Sequence, residues 1–202
     1  MQAAVADTPS HYNGHMASLD LLAAELGVHG RTLRRAIDEG AIRGTRLSPR
    51  RLKLAPAEES YVLRAWPLLG RLRSLLRTER NVRFALLFGS RARGDERPDS
   101  DIDLLVDLDE GTLARRMDLA NRLEAKLGLP VQTVTLGAAR RAPILLADAI
   151  EDGRVLVDRN DGWARLVRDY PAVSQAAIAA DEALRERASA AVTELTAGLA
   201  GG

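Results

Sequence analysis

The stretch Gly89-Ser-Arg-Ala-Arg-Gly-Asp-Glu-Arg-Pro-Asp-Ser-Asp101-Ile-Asp103-Leu-Leu-Val-Asp107 decides how this chain is read. It follows Val82-Arg-Phe-Ala-Leu-Leu-Phe88, an apolar run of strand length. A strand that runs into Gly-Ser and then opens a helix presents free N–H groups, which attract phosphate. Gly89 lacks a Cβ, so a ligand can approach the backbone closely. Ser90 adds a hydroxyl donor, and Arg91 and Arg93 add charge for phosphate oxygens. Asp101 and Asp103 lie two apart on the next strand, on one side and about 6.6 Å apart along the chain. Two carboxylates so placed can share Mg²⁺, which prefers oxygen ligands and substrate phosphates. A phosphate cradle beside a carboxylate pair implies metal-assisted phosphoryl or nucleotidyl transfer. Gly89, Ser90, Arg91 and Arg93 are then the nucleotide-binding candidates, and Asp101 and Asp103 the catalytic and metal-binding ones.

Working outward, strand and helix signals alternate. Strands are predicted at 82–88, 101–107, 130–136 and 153–158. Helices are predicted to start at 89 and to cover 112–127 and 138–150. A short helix around Trp163 and a long Ala-rich helix from about 172 close the chain. In that last helix Ala177, Ala180, Leu184, Ala188, Ala191 and Leu195 form one stripe. It is read as docking on its own core, with a second copy or a partner as the alternative occupant. Residues 57–79 read as a helix with Leu69, Leu72 and Leu76 on one side, Arg71, Arg73 and Arg77 elsewhere, and a break or kink at Pro67. Trp66 and Trp163 read as packing residues.

The central motif resembles the minimal nucleotidyltransferases of the DNA polymerase beta superfamily. Their signature is Gly-Ser, ten residues, then Asp-x-Asp, and here Gly89-Ser90 precedes Asp101-Ile102-Asp103 at that spacing. The resemblance covers about residues 80–158. It implies a mixed sheet with flanking helices, an NTP–Mg²⁺ substrate and transfer of a nucleoside monophosphate to a hydroxyl of a protein, a nucleic acid or a small molecule. It also implies a third carboxylate from a later strand, one that holds the first metal and helps deprotonate the acceptor. At that place stands Gln132, in Val131-Gln-Thr-Val-Thr-Leu136. Gln can offer a carbonyl oxygen to a metal but carries no charge and is no useful base. Asp107 lies about 13 Å along the strand from Asp103, too far for one metal cluster. The alternative implied by this departure is a catalytically weakened regulator: an antitoxin paired with a helical HEPN ribonuclease toxin.

Upstream, Ser18 is a candidate N-cap for a helix through Leu26, with Leu19, Leu22, Ala23 and Leu26 on one face. Gly27-Val28-His29 breaks it, and Gly30–Glu39 follows with an inner stripe of Leu33, Ala36 and Ile37 before Gly40. Two short alternating runs around Ser48-Pro49-Arg50 read as a hairpin. Helix, turn, helix and hairpin make a winged helix, expected to bind duplex DNA through Arg31, Arg34 and Arg35 on the second helix and Arg50, Arg51 and Lys53 in the wing. A helical protein-interaction module with a solvated Arg face is the alternative.

The net charge of +1 hides an asymmetry: residues 1–94 carry 16 Lys and Arg against 8 Asp and Glu, and residues 95–202 carry 13 against 20. The basic front fits a polyanion partner. Cysteine is absent, which excludes a disulfide framework, a thiolate metal site and a cysteine nucleophile, and fits a cytoplasmic address. The longest run free of charged residues is 13 residues, Leu127 to Ala139, too short to span a membrane, and the N-terminus does not read as a signal peptide. His11 and His15 are four apart, but Asn13-Gly14 between them argues against a helical metal pair. The expected organisation is α+β: a tail over 1–17, the winged helix over 18–55, a helical connector over 56–80, the nucleotidyltransferase domain over 81–160 and a helical extension over 161–202.

Overall fold

A computed structural model describes residues 19–48 and 51–200. Ser18, Pro49, Arg50 and the two N-terminal histidines lie outside the described residues. Two short helices, α1 (Leu19–Glu25) and α2 (Gly30–Asp38), lead into a two-stranded antiparallel hairpin, β1 (Thr45–Ser48) and β2 (Arg51–Lys53). Leu19, Leu22, Leu33, Ala36 and Ile37 are buried, as their spacing predicts.

Helix α3 (Pro56–Thr78) opens with Pro at its first position, where a missing N–H costs nothing. It corrects one expectation: it runs unbroken through Pro67. That residue is exposed, while Val62, Ala65, Trp66 and Leu69 around it are buried. Packing on both sides holds the helix through its one lost hydrogen bond. Leu69, Leu72 and Leu76 are fully buried.

The main sheet contains β3 (Val82–Phe88), β4 (Ile102–Leu108), β5 (Val131–Thr135) and β6 (Arg154–Asp158), in the order β5-β4-β3-β6. β3 is antiparallel to β4 and β6, and β4 is parallel to β5, so the sheet is mixed. Its central strands are near-continuous apolar runs because both faces are covered. One face packs on α3 and α5 (Leu113–Leu127), which begins at the Thr112 cap and ends at Gly128. The other face packs on α7 (Pro143–Asp152) and the start of α8 (Gly162–Ala200). The four-residue α4 (Ser90–Arg93) joins β3 to the loop before β4.

Two further expectations are corrected. The helix expected over 138–150 is two pieces, α6 (Leu136–Ala139) and α7, because Thr135 caps the first and Pro143 starts the second. The two helices expected after residue 160 are one, continuous through Pro171. Pro171 is exposed, and Trp163, Leu166, Tyr170 and Val173 lock the flanking turns onto the core. α8 packs against α7; within the Ala-rich stripe Ala177 and Ala180 are partly buried, while Leu184, Ala188 and Ala191 are exposed. Among the described residues no helix is long and apolar enough to cross a membrane.

Candidate active site

Sheet register brings the candidate residues together. Phe88 pairs with Asp103 across β3 and β4, and Asp103 pairs with Gln132 across β4 and β5. Gly89, directly after Phe88, therefore sits beside the Asp103 carboxylate. Its φ of 73° lies in the left-handed half of backbone space, and a Cβ there would collide with Asp103 Oδ2. Glycine is required twice over, by conformation and by contact.

Asp101 is the last loop residue before β4 rather than the first of the strand. Its carboxylate accepts a hydrogen bond from the Gln132 amide, so the residue expected in the third-carboxylate position does reach the pair. Asp103 is half-buried and makes no side-chain hydrogen bond among the described residues. Burial first, and the neighbouring Asp101 charge second, push its carboxyl above the usual carboxylate range, against the opposing pull of Arg93. Two adjacent carboxylates without a directly bonded cationic side chain form a donor set that fits a divalent cation with oxygen preference. Among the described residues no group of three or more acids or histidines gathers around one point. The remaining ligands of such an ion would be phosphate oxygens and water.

The turn over residues 90–94 is tightly organised. The amides of Ala92 and Arg93 both donate to the Gly89 carbonyl at 3.1 Å, and those of Gly94 and Asp95 donate to the Ser90 carbonyl. The amides of Ser90 and Arg91 are left at the open end, as first-turn amides of any helix are. Arg91 directs its guanidinium backwards: Nε donates to the Ser100 carbonyl at 3.0 Å and to the Asp101 carbonyl at 3.2 Å. It thereby braces the loop that carries Asp101. Arg93 is exposed and pairs with Asp95 and with Asp152 of α7, at 3.1 and 3.3 Å.

Beyond Gly89 and Arg93 opens a mainly apolar cavity of about 690 Å³, walled by Phe88, Ile144 and Leu145, and by Leu184 and Arg187 of α8. Asp148 of α7 lies in its wall. Burial, then Glu151 and Asp152, raise the Asp148 carboxyl. The spacing of acids in the sequence did not single Asp148 out, because its place depends on how α7 folds back onto the sheet.

The front candidates are spread differently. Arg31 is exposed at the start of α2. Arg34 pairs with Asp20 at 3.1 Å and Arg35 with Glu39 at 2.6 Å. Arg51 and Lys53 are exposed on β2. The sequence reading missed the buried ion pairs. Arg73 is 5% exposed and meets Glu39, and Arg154 is 2% exposed and meets Glu58. An arginine heading the apolar run Val155-Leu156-Val157 was the available signal, since a buried charge requires a partner.

An α+β sheet that seats paired aspartates against a Gly-Ser turn defines a nucleotidyltransferase of the polymerase beta kind. The polymerase beta nucleotidyltransferase family model matches residues 71–162. The chain belongs to the minimal nucleotidyltransferases of that superfamily. MJ1379 of Methanocaldococcus jannaschii, provisionally named a protein adenylyltransferase, is 35% identical over 71 residues, which are 34% of this chain and 71% of that protein. Protein adenylyltransferase MntA of Thermococcus cleftensis is 45% identical over 60 residues, 29% of this chain and 61% of that one. A chain from a crystal structure of a toxin–antitoxin with AMP-PNP superposes with a TM-score of 0.51 at 23% identity, covering 60% of this chain and 98% of that chain. A variant of the toxin–antitoxin MntA-HpeT superposes equally well, at 21% identity. These two show the shared fold.

Proposed function

We propose that this protein binds an NTP with Mg²⁺ and transfers its nucleoside monophosphate to a hydroxyl acceptor, releasing pyrophosphate. The observation that carries this reading is the seating of Asp103 against Gly89, with Asp101 beside it and the open amides of Ser90 and Arg91 next to them. Asp101 and Asp103 would hold the cation, which supplies neutralisation of phosphate charge. Ser90 and Arg93 serve the phosphates. Arg91 serves the site by fixing the Asp101 loop. The names of the two archaeal relatives support an adenylyl group and a protein acceptor. The two structural neighbours, both from toxin–antitoxin structures, support a toxin as partner, with this chain in the antitoxin role; a toxin of the HEPN kind is what the family resemblance implies.

Gln132 tunes this activity downward. Its amide faces Asp101 as a donor, so it stabilises the carboxylate but adds no negative charge. The nucleotide's own cation keeps two carboxylates and the phosphates, and a second, acceptor-side cation is the weaker one. The test is an assay with NTP labelled at the α-phosphate, run against co-purified or co-expressed acceptor proteins. Label transfer by the native chain, lost in Asp101→Asn, Asp103→Asn, is expected. Equal transfer by both would overturn the assignment.

A second reading concerns residues 18–55. Among the described residues Arg31, Arg34, Arg51 and Lys53 are exposed on α2 and the adjacent hairpin, which favours a winged helix that meets DNA phosphate. Arg35 is exposed as well, and both it and Arg34 would exchange an ion pair, with Glu39 and Asp20, for phosphate. Mobility shifts of the full chain with the DNA upstream of its own gene, at low and raised salt, test it. Absence of a shift at low salt removes the regulator reading.

A further inference from the structure

A helix of four residues cannot satisfy its own carbonyls, and those of Arg91, Ala92 and the cap residue Gly94 are met by side chains of α3 and β6. Tyr61 of α3 donates its hydroxyl to the Arg91 carbonyl at 3.0 Å. Arg64, one turn further, donates to the Gly94 carbonyl at 3.3 Å. Arg154 of β6 donates Nε to the Ala92 carbonyl at 2.8 Å. The Arg154 guanidinium is itself held on two sides. It forks onto both carboxylate oxygens of Glu58, in the first turn of α3, and stacks 3.6 Å over the Tyr61 ring. Glu58 Oε1 also accepts the backbone N–H of Arg43, just before β1, at 2.8 Å.

Glu58, Tyr61 and Arg64 all precede residue 71, where the family match begins. We propose that Glu58, Tyr61 and Arg154 are positioning residues for the nucleotide turn, supplied in part by the segment that joins the front of the chain to the nucleotidyltransferase fold. They fix the peptide planes that follow Arg91 and Ala92. Those planes carry the Ala92 and Arg93 N–H groups, both of which donate to the Gly89 carbonyl. That carbonyl shares one rigid peptide unit with the Ser90 N–H, so fixing the planes from behind holds the open amide of Ser90 in place before a ligand arrives. Such preorganisation raises affinity without any added contact to the ligand. The close fit leaves little slack: a Cβ at Gly94, whose φ is 87°, would lie 2.8 Å from the Tyr61 ring. The same carboxylate holds the lead-in to the front hairpin, so the two parts of the chain meet at Glu58.

This inference rests on the proposal that the turn binds NTP–Mg²⁺, and the test separates the two. Calorimetry with ATP and Mg²⁺ is run on the native chain, Tyr61→Phe, Ser90→Ala and the double variant, with melting temperatures in parallel. Tyr61→Phe keeps the ring under Arg154 and deletes one hydrogen bond, so it is expected to fold. Its affinity is expected to fall about 3- to 10-fold, the range of a single lost hydrogen bond. The penalty of Ser90→Ala is expected to shrink in the Tyr61→Phe background, because both act through one turn. In nitrogen-edited NMR spectra without nucleotide, the Ala92 to Gly94 amides should shift in Tyr61→Phe while those of α5 stay. Arg154→Lys, which keeps the charge but loses the fork, should weaken binding in the same direction. Native binding with Tyr61→Phe unchanged, or strictly additive penalties, would overturn the positioning role and leave the nucleotide reading standing. No binding by the native chain would remove both.

Discussion

At the scale of single residues, Asp103 carries the sharpest consequence. Its carboxyl is raised in the fold by burial and by Asp101, so the folded protein binds its proton more tightly than the unfolded chain does. Stability from this group is present below the ordinary value of 3.8 and is lost as pH rises through the folded value. Asp103→Asn should therefore raise the melting temperature at pH 7 in EDTA, and the gain should vanish in acid below pH 3.8. An equal gain at both pH values would show that the charge is not the cause. Gln132→Asp works in the opposite sense, placing a third carboxylate against Asp101. Its melting temperature should fall in EDTA and recover with Mg²⁺, and transfer should rise with it. Vigorous transfer by the native chain that Gln132→Asp abolishes would assign Gln132 another task.

Much of this site could be read before any coordinates, and the reason is local. Gly-Ser directly after one strand and Asp-x-Asp at the entry of the next are brought near each other by the strands they adjoin, and Asp103 is placed by strand geometry itself. The partner of Gln132 needed register between two strands, and the backward turn of Arg91 needed the path of the 95–100 loop. Those are tertiary facts that no spacing encodes.

At the scale of elements, α3 does more than its sequence announces. The leucine stripe at 69, 72 and 76 gave its buried face directly. The spacing sets Arg73, with Arg71 and Arg77, only off the leucine side and does not mark it as buried. It is instead buried, donating to the Val155 carbonyl at 3.2 Å and meeting Glu39 from the end of α2. Glu39→Gln should therefore cost about 2–3 kcal/mol, because a buried guanidinium would lose its counter-charge. Pairing it with Arg73→Met should recover most of that loss, since a matched apolar replacement removes the burial penalty as well. Chemical denaturation of the two variants measures both figures, and a double variant no more stable than Glu39→Gln would contradict the pairing. The prolines matter for a related reason: Pro67 reads as a break or kink, and Pro171 falls where one helix is expected to give way to another, but each sits on the exposed side of a helix whose other side is packed.

At the scale of the whole molecule, one apolar cluster runs from Leu19 and Leu33 through Trp66 and Leu69 to Val82, Leu104 and Val157. The amide of Val155 also donates to the Gly40 carbonyl, tying the end of α2 to the sheet. The front helices are thus expected to melt with the sheet in a single calorimetric transition, and two resolved transitions would contradict this continuity. The sequence could not show it, because apolar stripes say which face is covered but not by what. The central claim remains that the Gly89–Ser90 turn and the Asp101–Asp103 pair form one nucleotide site. Calorimetric titration of ATP into the full chain, with Mg²⁺ and with EDTA, measures this most directly. Saturable binding that needs Mg²⁺ and disappears in Asp101→Asn, Asp103→Asn is predicted; binding that persists unchanged in that double variant would contradict it.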